Sequence, residues 1–538
     1  MTVTPRVFVR EATGLVKEVG TADTFIYNTN NQNIGIGVLF LLLFVPSFYV
    51  GANLGWSLPI TALLVLPTAL VYAYLSTIMP RSGGDYVYIS RVFGPALGFA
   101  SGINWTYWLL IYIGIPAAYL GQYGVAPLTR YLAAMTGSAG VQAAAKFLSS
   151  STGIWLVGTI LIAVFTWVFI RGTKFYMRIQ AWTFGIALVG LALVAVALLG
   201  NPGQFVARFN DYILKAGGVA EAYTVIKQAA ADGGYAFSGY DRTWTAFSIT
   251  QVFYILGFAI TSSFIGGEIK NVRRSQFVGM PGSVVFCAVA MAILVFLFLG
   301  RLGYEFLGQL GFAAADSYGL AFTPTFTELA AVSSGSVALG VLIGVCFLFW
   351  TYVWLPINFL ASTRSLLAWS FDRLLPESVA EVNPRTHTPI RAIIIVAILG
   401  EVSLILYVTG VINTLVGIFG WGLSFMLASL VAMALPYKLK DVFESSPVNH
   451  RVAGIPVLTI LGAVSLVCLA YVEYLLWVDP IIGVSVTTHK LGTLLTLPSW
   501  VLNLGVPLAG FVAYYLIQWA QKRRGLDVSA AFTVIPPD

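Results

Sequence analysis

Two apolar stretches of this 538-residue sequence are interrupted by residues that break helices. The first reads LLLFVPSFYVGANLG, and its Pro46 has no amide hydrogen, so the carbonyl of Leu42 loses its partner in a helix. The second reads FYILGFAITSSFIGGEIKN and is interrupted at Gly257. A broken helix exposes N–H groups that can hold a carboxylate and C=O groups that can hold an ammonium group or a cation. The alternative is that both are ordinary kinks or packing points, because Pro and Gly are common in membrane helices.

We expect a small molecule to bind at the two breaks, and the candidate binding residues are Val45, Pro46, Ser47, Phe48, Leu256, Gly257, Phe258 and Ala259. Amides after Pro46 would hold a carboxylate, carbonyls freed before Pro46 and around Gly257 would hold an ammonium group, and Phe258 would act as an aromatic gate. Thr351 and Asn358 are seven residues apart, a spacing that places both on one helix face. They are further candidates for contact with a cation or with the bound molecule.

Metal and enzyme chemistry have little support in the sequence. The three Cys residues lie far apart in apolar runs and the three His residues fall between runs, so there is no metal spacing and no set of nucleophile, base and acid. No P-loop is present either. We therefore expect no enzymatic activity, no cofactor and no metal. Glu401 and Glu473 lie inside apolar runs, where carboxylates are costly and often functional, and their role in proton transfer stays open.

The composition indicates a polytopic membrane protein. Hydrophobic residues make up 58% of the chain and charged residues only 9%, and the mean hydropathy is +0.86. Soluble proteins carry about 25% charged residues. Twelve apolar runs are long enough to cross about 30 Å of hydrocarbon, and they are continuous rather than alternating, so an all-α fold with twelve transmembrane helices is predicted. The same numbers exclude a disordered chain, a secreted disulfide-rich protein and a soluble nucleic-acid binder.

The two breaks fall five spans apart, in spans 1 and 6, as inverted repeats would place them. The predicted division is a tail at 1–33, spans 1–5 at 34–200, a loop at 201–243, spans 6–10 at 244–436, two additional C-terminal spans at 437–520 and a tail at 521–538. The loop contains a helix-like stretch, 219–231. It is either a lid over an outer vestibule or a passive connector.

Basic residues predict the orientation of the chain. With the N-terminus inside, 21 of the 29 Lys and Arg residues fall on the inner side and 8 on the outer side. This asymmetry follows the positive-inside rule. Both termini are therefore predicted to be cytoplasmic, in a multi-pass protein of the cell (plasma) membrane.

Four motifs appear in order along the chain. They begin at Pro80, Gly267, Leu360 and His450 and read PRSGGDYVYISRVFGPALGFASG, GEIKNVRRS, LASTRSLLAWSFDRLLPESVAEVNPRTHTPIRA and HRVAGIPVL. Together they resemble the amino acid–polyamine–organocation transporter superfamily, and the chain looks similar to an amino acid permease. The resemblance implies two five-span inverted repeats with two additional helices. It also implies secondary active transport of amino acids or related small amines by alternating access, through cation-coupled symport or exchange.

At two positions this sequence differs from the family's pattern, and the differences affect the substrate and the coupling ion that the resemblance implies. Members usually carry a Gly-Ser-Gly-like break in span 1, where this chain has Val45-Pro46-Ser47, and some proton-coupled members carry Lys where it has Ala187. The bulkier Val-Pro-Ser wall indicates a substrate other than an ordinary small α-amino acid, and neither H+ nor Na+ is favoured as the coupling ion. The alternatives are a transporter of an inorganic cation such as potassium on the same fold, and a non-transporting membrane receptor or channel. The expected partners are a small-molecule substrate, a coupling ion and the lipid bilayer, but no nucleic acid.

Overall fold

The computed structural model describes residues 14–200, 202–412, 417–484 and 499–526, together with Val528 and Phe532. Across these residues the fold is all-α, as predicted, apart from one two-stranded antiparallel hairpin, β1 Arg451–Val452 with β2 Ile455–Pro456. Twelve spans are long and apolar enough to cross a membrane in this part of the chain: Thr21–Phe48, Leu54–Ile78, Pro95–Thr136, Ser151–Arg171, Thr173–Leu198, Arg242–Phe264, Val272–Leu302, Val337–Phe371, Ile390–Val408, Ile418–Lys438, Val457–Val478 and Trp500–Arg523.

Several spans consist of more than one helix, and short helices join others. The helices are α1 Thr21–Gln32, α2 Ile34–Phe48, α3 Leu54–Ile78, α4 Asp85–Phe93, α5 Pro95–Tyr119, α6 Ala126–Thr136, α7 Ala139–Leu148, α8 Ser151–Arg171, α9 Thr173–Leu198, α10 Phe205–Lys215, α11 Ala222–Asp232, α12 Arg242–Leu256, α13 Val272–Leu302, α14 Tyr304–Phe312, α15 Phe326–Ser334, α16 Val337–Thr351, α17 Trp354–Phe371, α18 Ile390–Val408, α19 Ile418–Lys438, α20 Lys440–Glu444, α21 Val457–Val478 and α22 Ser499–Arg523. A π-helical turn, Leu120–Val125, joins α5 to α6 within span 3.

Span 1 begins earlier than its apolar run, and its break lies elsewhere. The predicted start at Ile34 is wrong because α1 already begins at Thr21. The predicted break at Pro46 is also wrong: α2 runs through this proline, and the helix is interrupted at Asn33, which has a left-handed backbone with φ 51°. The Ser47 hydroxyl donates to the carbonyl of Leu43, so a side chain satisfies part of the ladder that the proline disturbs.

Span 6 is interrupted where the sequence predicts it. Helix α12 ends at Leu256 and is capped at Gly257, whose amide still bonds to the carbonyl of Phe253 at 2.9 Å. The chain then continues through irregular turns and two short 3₁₀ segments, Thr261–Phe264 and Gly266–Glu268. The glycine has space for no side chain, because a Cβ there would lie 2.9 Å from that carbonyl.

Span 8 is also broken, which corrects the predicted pairing of Thr351 and Asn358 on one helix face. Helix α16 ends at Thr351 and α17 begins at Trp354, so no continuous helix connects the two residues. Pro356 accounts for the break, because a proline ring clashes with the carbonyl four residues before it, here that of Tyr352.

Two faces of the bundle differ in what covers them. The N-terminal face is the end where span 1 begins, and the short helix α4 lies there between spans 2 and 3. The opposite face carries the cap, which we define as 202–241 and 303–336 and which contains α10, α11, α14 and α15. Helix α11 corresponds to the helix-like stretch that the sequence predicts in the 201–243 loop. The division into two five-span repeats with the boundaries given above stays a prediction.

Candidate functional site

The broken regions of spans 1 and 6 are hydrogen-bonded to each other deep in the bundle. The Asn31 side-chain amide donates to the carbonyl of Phe258 at 3.2 Å and also bonds to the Thr261 hydroxyl. One turn earlier, Asn28 donates to the Ser262 hydroxyl at 2.9 Å and accepts from its backbone amide at 3.0 Å. All five residues are buried. The polar end of α1 therefore holds the irregular part of span 6 in place.

Helix α2 begins at this meeting point, and the amides of its first turn have no carbonyl partner within the helix. The left-handed backbone at Asn33 turns the peptide groups away from the preceding helix, and its side-chain oxygen accepts the amide of Ile36 at 3.1 Å. Gly35 and Gly37 follow. A Cβ at Gly35 would lie 2.5 Å from the Trp350 side chain, so only glycine fits there. The remaining first-turn amides and the positive end of the helix dipole form a site suited to a carboxylate.

Rings from four spans surround the two breaks. They are Tyr112 of span 3, Tyr254 and Phe258 of span 6, Trp354 of span 8 and Trp421 of span 10. Phe258 and Trp421 meet edge to face with centroids 4.3 Å apart, and the Tyr254 hydroxyl donates to that of Tyr112 at 3.1 Å. The Trp354 indole donates to the carbonyl of Asn31 at 2.6 Å. The enclosure is thus aromatic and carries no charged side chain among these five.

Asn358 belongs to this enclosure, whereas Thr351 does not join it through a hydrogen bond. The Asn358 side-chain amide donates to the carbonyl of Tyr112 at 2.9 Å. That carbonyl is available because Pro116, four residues later, has no amide hydrogen to donate, and the backbone of Tyr112 is non-helical, with φ −81° and ψ 24°. Thr351 donates to the carbonyl of Leu348 within its own helix, at 2.7 Å. Both side chains are buried, but their environments differ.

A buried ion pair closes the N-terminal face below the breaks. Glu268 follows span 6, and Arg364 of span 8 binds both of its carboxylate oxygens at 2.7 and 2.8 Å. The Thr173 hydroxyl donates to the same carboxylate at 2.8 Å. Two charges held this way in a dry site need geometry of this quality to offset the cost of removing them from water. The pair therefore joins spans 5, 6 and 8.

A second set of contacts seals the same face. Arg91 of α4 makes a bidentate pair with Asp372 after span 8, at 2.8 and 2.9 Å, and Tyr86 bonds to the same carboxylate. The chain before span 1 also crosses beneath span 6, where Val19 pairs with Ile269. These contacts cover the N-terminal face in this conformation.

A cavity of about 960 Å³ lies on the other side of the breaks, beneath the cap. Its lining includes Leu39, Phe40, Leu43, Phe44 and Phe48 of α2, with Gln122, Tyr123 and Arg130 of span 3. Phe40 contacts the rings of Tyr119 and Tyr123 edge to face, with centroids 5.9 and 6.0 Å apart. Tyr119 also contacts the ring of Trp354, with centroids 6.4 Å apart, so these three rings connect the cavity lining to the aromatic enclosure. We call this cavity the vestibule.

The predicted binding residues of span 1 lie in its outer half, against the cap. The Tyr235 hydroxyl donates to the carbonyl of Pro46 at 3.2 Å, and the Ser47 hydroxyl donates to the carbonyl of Gly308 at 3.0 Å. Val45 is fully buried, whereas Phe48 is 41% exposed and lines the vestibule. At a helical rise of 1.5 Å per residue, Pro46 is about 20 Å from Asn33. Leu256, Gly257, Phe258 and Ala259, in contrast, lie buried at the break of span 6.

Two tyrosines of the cap act as neutral donors to the end of span 1. Tyr304 donates to the carbonyl of Tyr49 at 3.2 Å and accepts the amide of Gly51 at 3.0 Å. Burial raises the pKa of both Tyr235 and Tyr304 above the ordinary tyrosine value, so both hydroxyls keep their protons at physiological pH. The loop at 201–243 is therefore anchored directly to span 1.

The two intramembrane acids lie away from the breaks. Glu401 accepts hydrogen bonds from Trp155 at 2.9 Å and from Thr159 at 2.8 Å, both on span 4. Glu473 is buried on span 11, and its carboxyl group fits against Gly422 of span 10, where a side chain would collide with it. A role of either acid in proton transfer stays a prediction.

The sequence reasoning missed the start of α2 and four of the five rings. The signal for the first was present as Asn33-Ile-Gly-Ile-Gly37, in which a residue that tolerates a left-handed backbone precedes two closely spaced glycines. It was overlooked because the apolar run starts at Ile34. The rings had no distinguishing spacing in a chain that is 14% aromatic.

Membrane-spanning helices that are broken where they meet inside the bundle are typical of secondary transporters. The described residues contain no group of three or more His, Cys, Asp or Glu side chains suited to a metal. The chain belongs to the amino acid permease family, whose sequence profile matches residues 21–499. It is a membrane transporter and not an enzyme.

Relatives of known name support the same family. The chain is 25% identical to a methylthioribose transporter of Bacillus subtilis. The 470 matched residues cover 85% of this chain and 88% of that protein. It is 24% identical to the branched-chain amino acid permease BcaP of Lactococcus lactis, over 78% of this chain and 81% of the relative. It is also 24% identical to a cystine/glutamate transporter of Pongo abelii, over 88% and 80% of the two chains.

Proposed function

We propose that this protein moves amino acids or related small amines across the cell membrane by alternating access. The observation that carries the proposal is the pair of broken helices, joined through Asn31 and Phe258 at 3.2 Å. The start of α2 offers amides to a substrate carboxylate, and the end of α12 at Gly257 offers carbonyls to an ammonium group. The site that we propose is therefore centred on Asn33–Gly37 and Leu256–Ala259, rather than on the outer half of α2.

The enclosure favours a substrate with an uncharged side chain. The five rings around the breaks present apolar faces and hydroxyl or indole donors, and burying a charged side chain among them without a partner would cost several kcal/mol. Neutral aliphatic or aromatic amino acids fit this environment. Among the relatives, the branched-chain permease carries the name closest to this chemistry.

The closed N-terminal face and the vestibule support a path for the substrate. In this conformation a molecule reaches the breaks from the cap face once the Phe40, Tyr119 and Tyr123 rings move aside. Release needs the Glu268–Arg364 pair to separate. Taking the N-terminal face as cytoplasmic, as the basic residues predict, the conformation faces outward and both termini are cytoplasmic.

The experiment is counterflow with purified protein in proteoliposomes, using the twenty proteinogenic amino acids, polyamines and methylthioribose as radiolabelled probes. We expect saturable exchange of at least one neutral amino acid. The variant Gly35→Leu should abolish it, because a side chain there collides with Trp350. Gly185→Leu is the matched control, since nothing lies within 4 Å of a Cβ at that position.

Three outcomes would overturn the proposal. One is saturable, gradient-driven uptake of potassium with no response to any organic probe, which would indicate an inorganic cation transporter. Another is a flux that does not saturate, which would indicate a channel. The third is full exchange by Gly35→Leu, which would move the site away from the start of α2.

A further inference from the structure

A buried acid, Asp85, lies at the N-terminal face and has no part in the site described so far. It is the first residue of α4 and is fully buried. One carboxylate oxygen accepts from the Tyr72 hydroxyl and from the Trp105 indole, each at 2.7 Å. The other oxygen accepts no hydrogen bond from another residue in the part of the chain that the structure describes. The carboxyl group is thus half-satisfied in a dry environment.

The segment that carries Asp85 is attached to the irregular part of span 6. The amide of Gly83 donates to the carbonyl of Phe264 at 3.0 Å, and Ser82 pairs with Ile265. The ring of Phe264 also packs edge to face against Trp105, with centroids 5.5 Å apart. Glu268 of the closing ion pair lies four residues after Phe264. A movement of this part of span 6 that separates the ion pair must therefore disturb the cover over Asp85.

The surroundings of Asp85 determine when it holds a proton. Burial raises the pKa of its carboxyl group to about 7, against the opposing effect of the Tyr72 and Trp105 hydrogen bonds. The titratable neighbours are Tyr72 on span 2 and Tyr88 on α4 itself, and burial raises the pKa of Tyr88. Spans 6 and 10 contribute Phe264 and Phe425 to this cluster, which carry no charge. No ion pair of Asp85 is present among the described residues.

We propose that Asp85 is a proton-binding site whose occupancy stabilises the closed N-terminal face. The neutral acid is accommodated when the face is closed, whereas the carboxylate gains hydration when the face opens. Because the closed state binds the proton more tightly, proton binding must by linkage favour that state. Raising the pH through about 7 therefore shifts the equilibrium toward opening. This inference rests on the proposed alternating access and adds the proton as a ligand of its gate.

The test needs no substrate, so its failure is separate from a failure of the proposed function. The probe is a cysteine in place of Ser365, a buried residue next to Arg364, in a variant without the three native cysteines. Labelling of detergent-purified protein by a polar maleimide is followed from about pH 5 to about pH 9. At each pH the labelling rate is divided by that of the exposed control Ser445→Cys, which removes the effect of thiol ionisation. We expect this ratio to be at least about tenfold lower one pH unit below the midpoint than well above it, with the midpoint near 7.

Variants separate proton binding from a purely structural role. Asp85→Asn should remain closed and label slowly at every pH. Tyr72→Phe removes a donor to the carboxylate and should move the midpoint upward. Asp441→Asn, an exposed acid on the same face, should behave as the unsubstituted protein.

Infrared difference spectra between acidic and basic pH provide the second measurement. A protonated carboxyl band that disappears in Asp85→Asn supports the assignment when circular dichroism shows that this variant stays folded, and the same band should titrate at higher pH in Tyr72→Phe. The proposal is overturned if the carboxyl band persists in Asp85→Asn, or if Asp85→Asn and Tyr72→Phe both keep the unsubstituted pH profile.

Discussion

At the residue scale, the most buried ion pair among the described residues joins Arg364 and Glu268, whose side chains are 1% and 3% exposed. Removing one partner of such a pair leaves a charge buried without compensation, which costs about 3–5 kcal/mol. We expect Glu268→Gln to lower the free energy of unfolding by about 3 kcal/mol and to lower the melting temperature, measured by differential scanning fluorimetry of purified protein. The double variant Glu268→Gln with Arg364→Met should recover most of this loss.

The control for that prediction is the exposed pair of Lys215 and Asp211 in the cap. Lys215→Ala should change stability by less than about 1 kcal/mol, because water screens both groups. Equal losses in Glu268→Gln and Lys215→Ala would contradict the view that burial makes the first pair important.

Asn358 gives a second prediction at this scale. Asn358→Leu leaves the carbonyl of Tyr112 buried without its donor, at a cost of about 1–3 kcal/mol, and should weaken substrate exchange in proteoliposomes. Thr351→Val removes only a bond within its own helix and is nearly isosteric, so exchange should change less. A larger loss in Thr351→Val than in Asn358→Leu would be inconsistent with the enclosure described above.

At the element scale, the position of the break in span 1 decides which substitutions matter. Pro46→Ala restores an amide to an already continuous helix and should alter exchange by less than about threefold, or about 0.7 kcal/mol. Asn33→Leu places an ordinary side chain at φ 51° and removes the bond to Ile36, so exchange should be lost. Asn33→Gly tolerates that backbone and should retain part of the activity.

If Pro46→Ala abolished exchange while Asn33→Leu retained it, the outer half of α2 would be the binding segment after all. Surface expression of each variant is measured alongside, since only correctly inserted protein informs the comparison.

Spans 1 and 6 also show why sequence reasoning succeeded at one break and failed at the other. Gly257 lies inside an apolar run, so a glycine followed by hydroxyl residues signals an interruption there. In span 1 the whole inner half is polar, and hydropathy assigned it to the tail. Its Asn and Gln side chains are buried against span 6 and α13, not exposed to water, and only tertiary contacts reveal that. Helix α2 tolerates Pro46 because the Ser47 hydroxyl bonds to the carbonyl of Leu43 and Tyr235 of the cap bonds to the carbonyl of Pro46.

The cap gives a further prediction at this scale. Tyr235→Phe combined with Tyr304→Phe removes three hydrogen bonds to the end of span 1, two donated by the hydroxyls and one accepted from Gly51, each worth about 1 kcal/mol. Amide hydrogen exchange across α11 and α14 should then quicken by about fivefold or more, as read by mass spectrometry. Tyr240→Phe keeps its ring contact with Tyr304 and should leave the exchange rates unchanged. An equal increase in Tyr240→Phe would contradict the prediction, because that variant keeps the hydroxyl bonds of Tyr235 and Tyr304.

At the scale of the whole molecule, composition and periodicity were sufficient for the all-α class and the twelve spans, because lipid permits few ways to satisfy a backbone. Contacts between distant segments could not be predicted. Arg364 and Glu268 lie 96 residues apart, and Asn31 and Phe258 lie 227 apart. No local pattern encodes such pairs.

The predicted orientation has a direct test on the whole molecule. In the variant without native cysteines, Ser445→Cys should react with an impermeant maleimide only after cells are permeabilised, because it lies on the N-terminal face. Ala231→Cys, in α11 of the cap, should react in intact cells. Both positions are exposed, so access to the reagent depends on the side of the membrane alone. The reverse pattern would place the N-terminus outside.

The hydroxyl bonds between the cap and the carbonyls of Pro46 and Tyr49 have one consequence for pharmacology. Helix α2, which starts at the proposed binding site, ends under the cap, and the outer surface of the cap is accessible to water. An antibody fragment or macrocycle that fixes the cap to the surrounding helices would stop transport without entering the vestibule. Such an inhibitor would be noncompetitive with substrate, and it would need no membrane permeability.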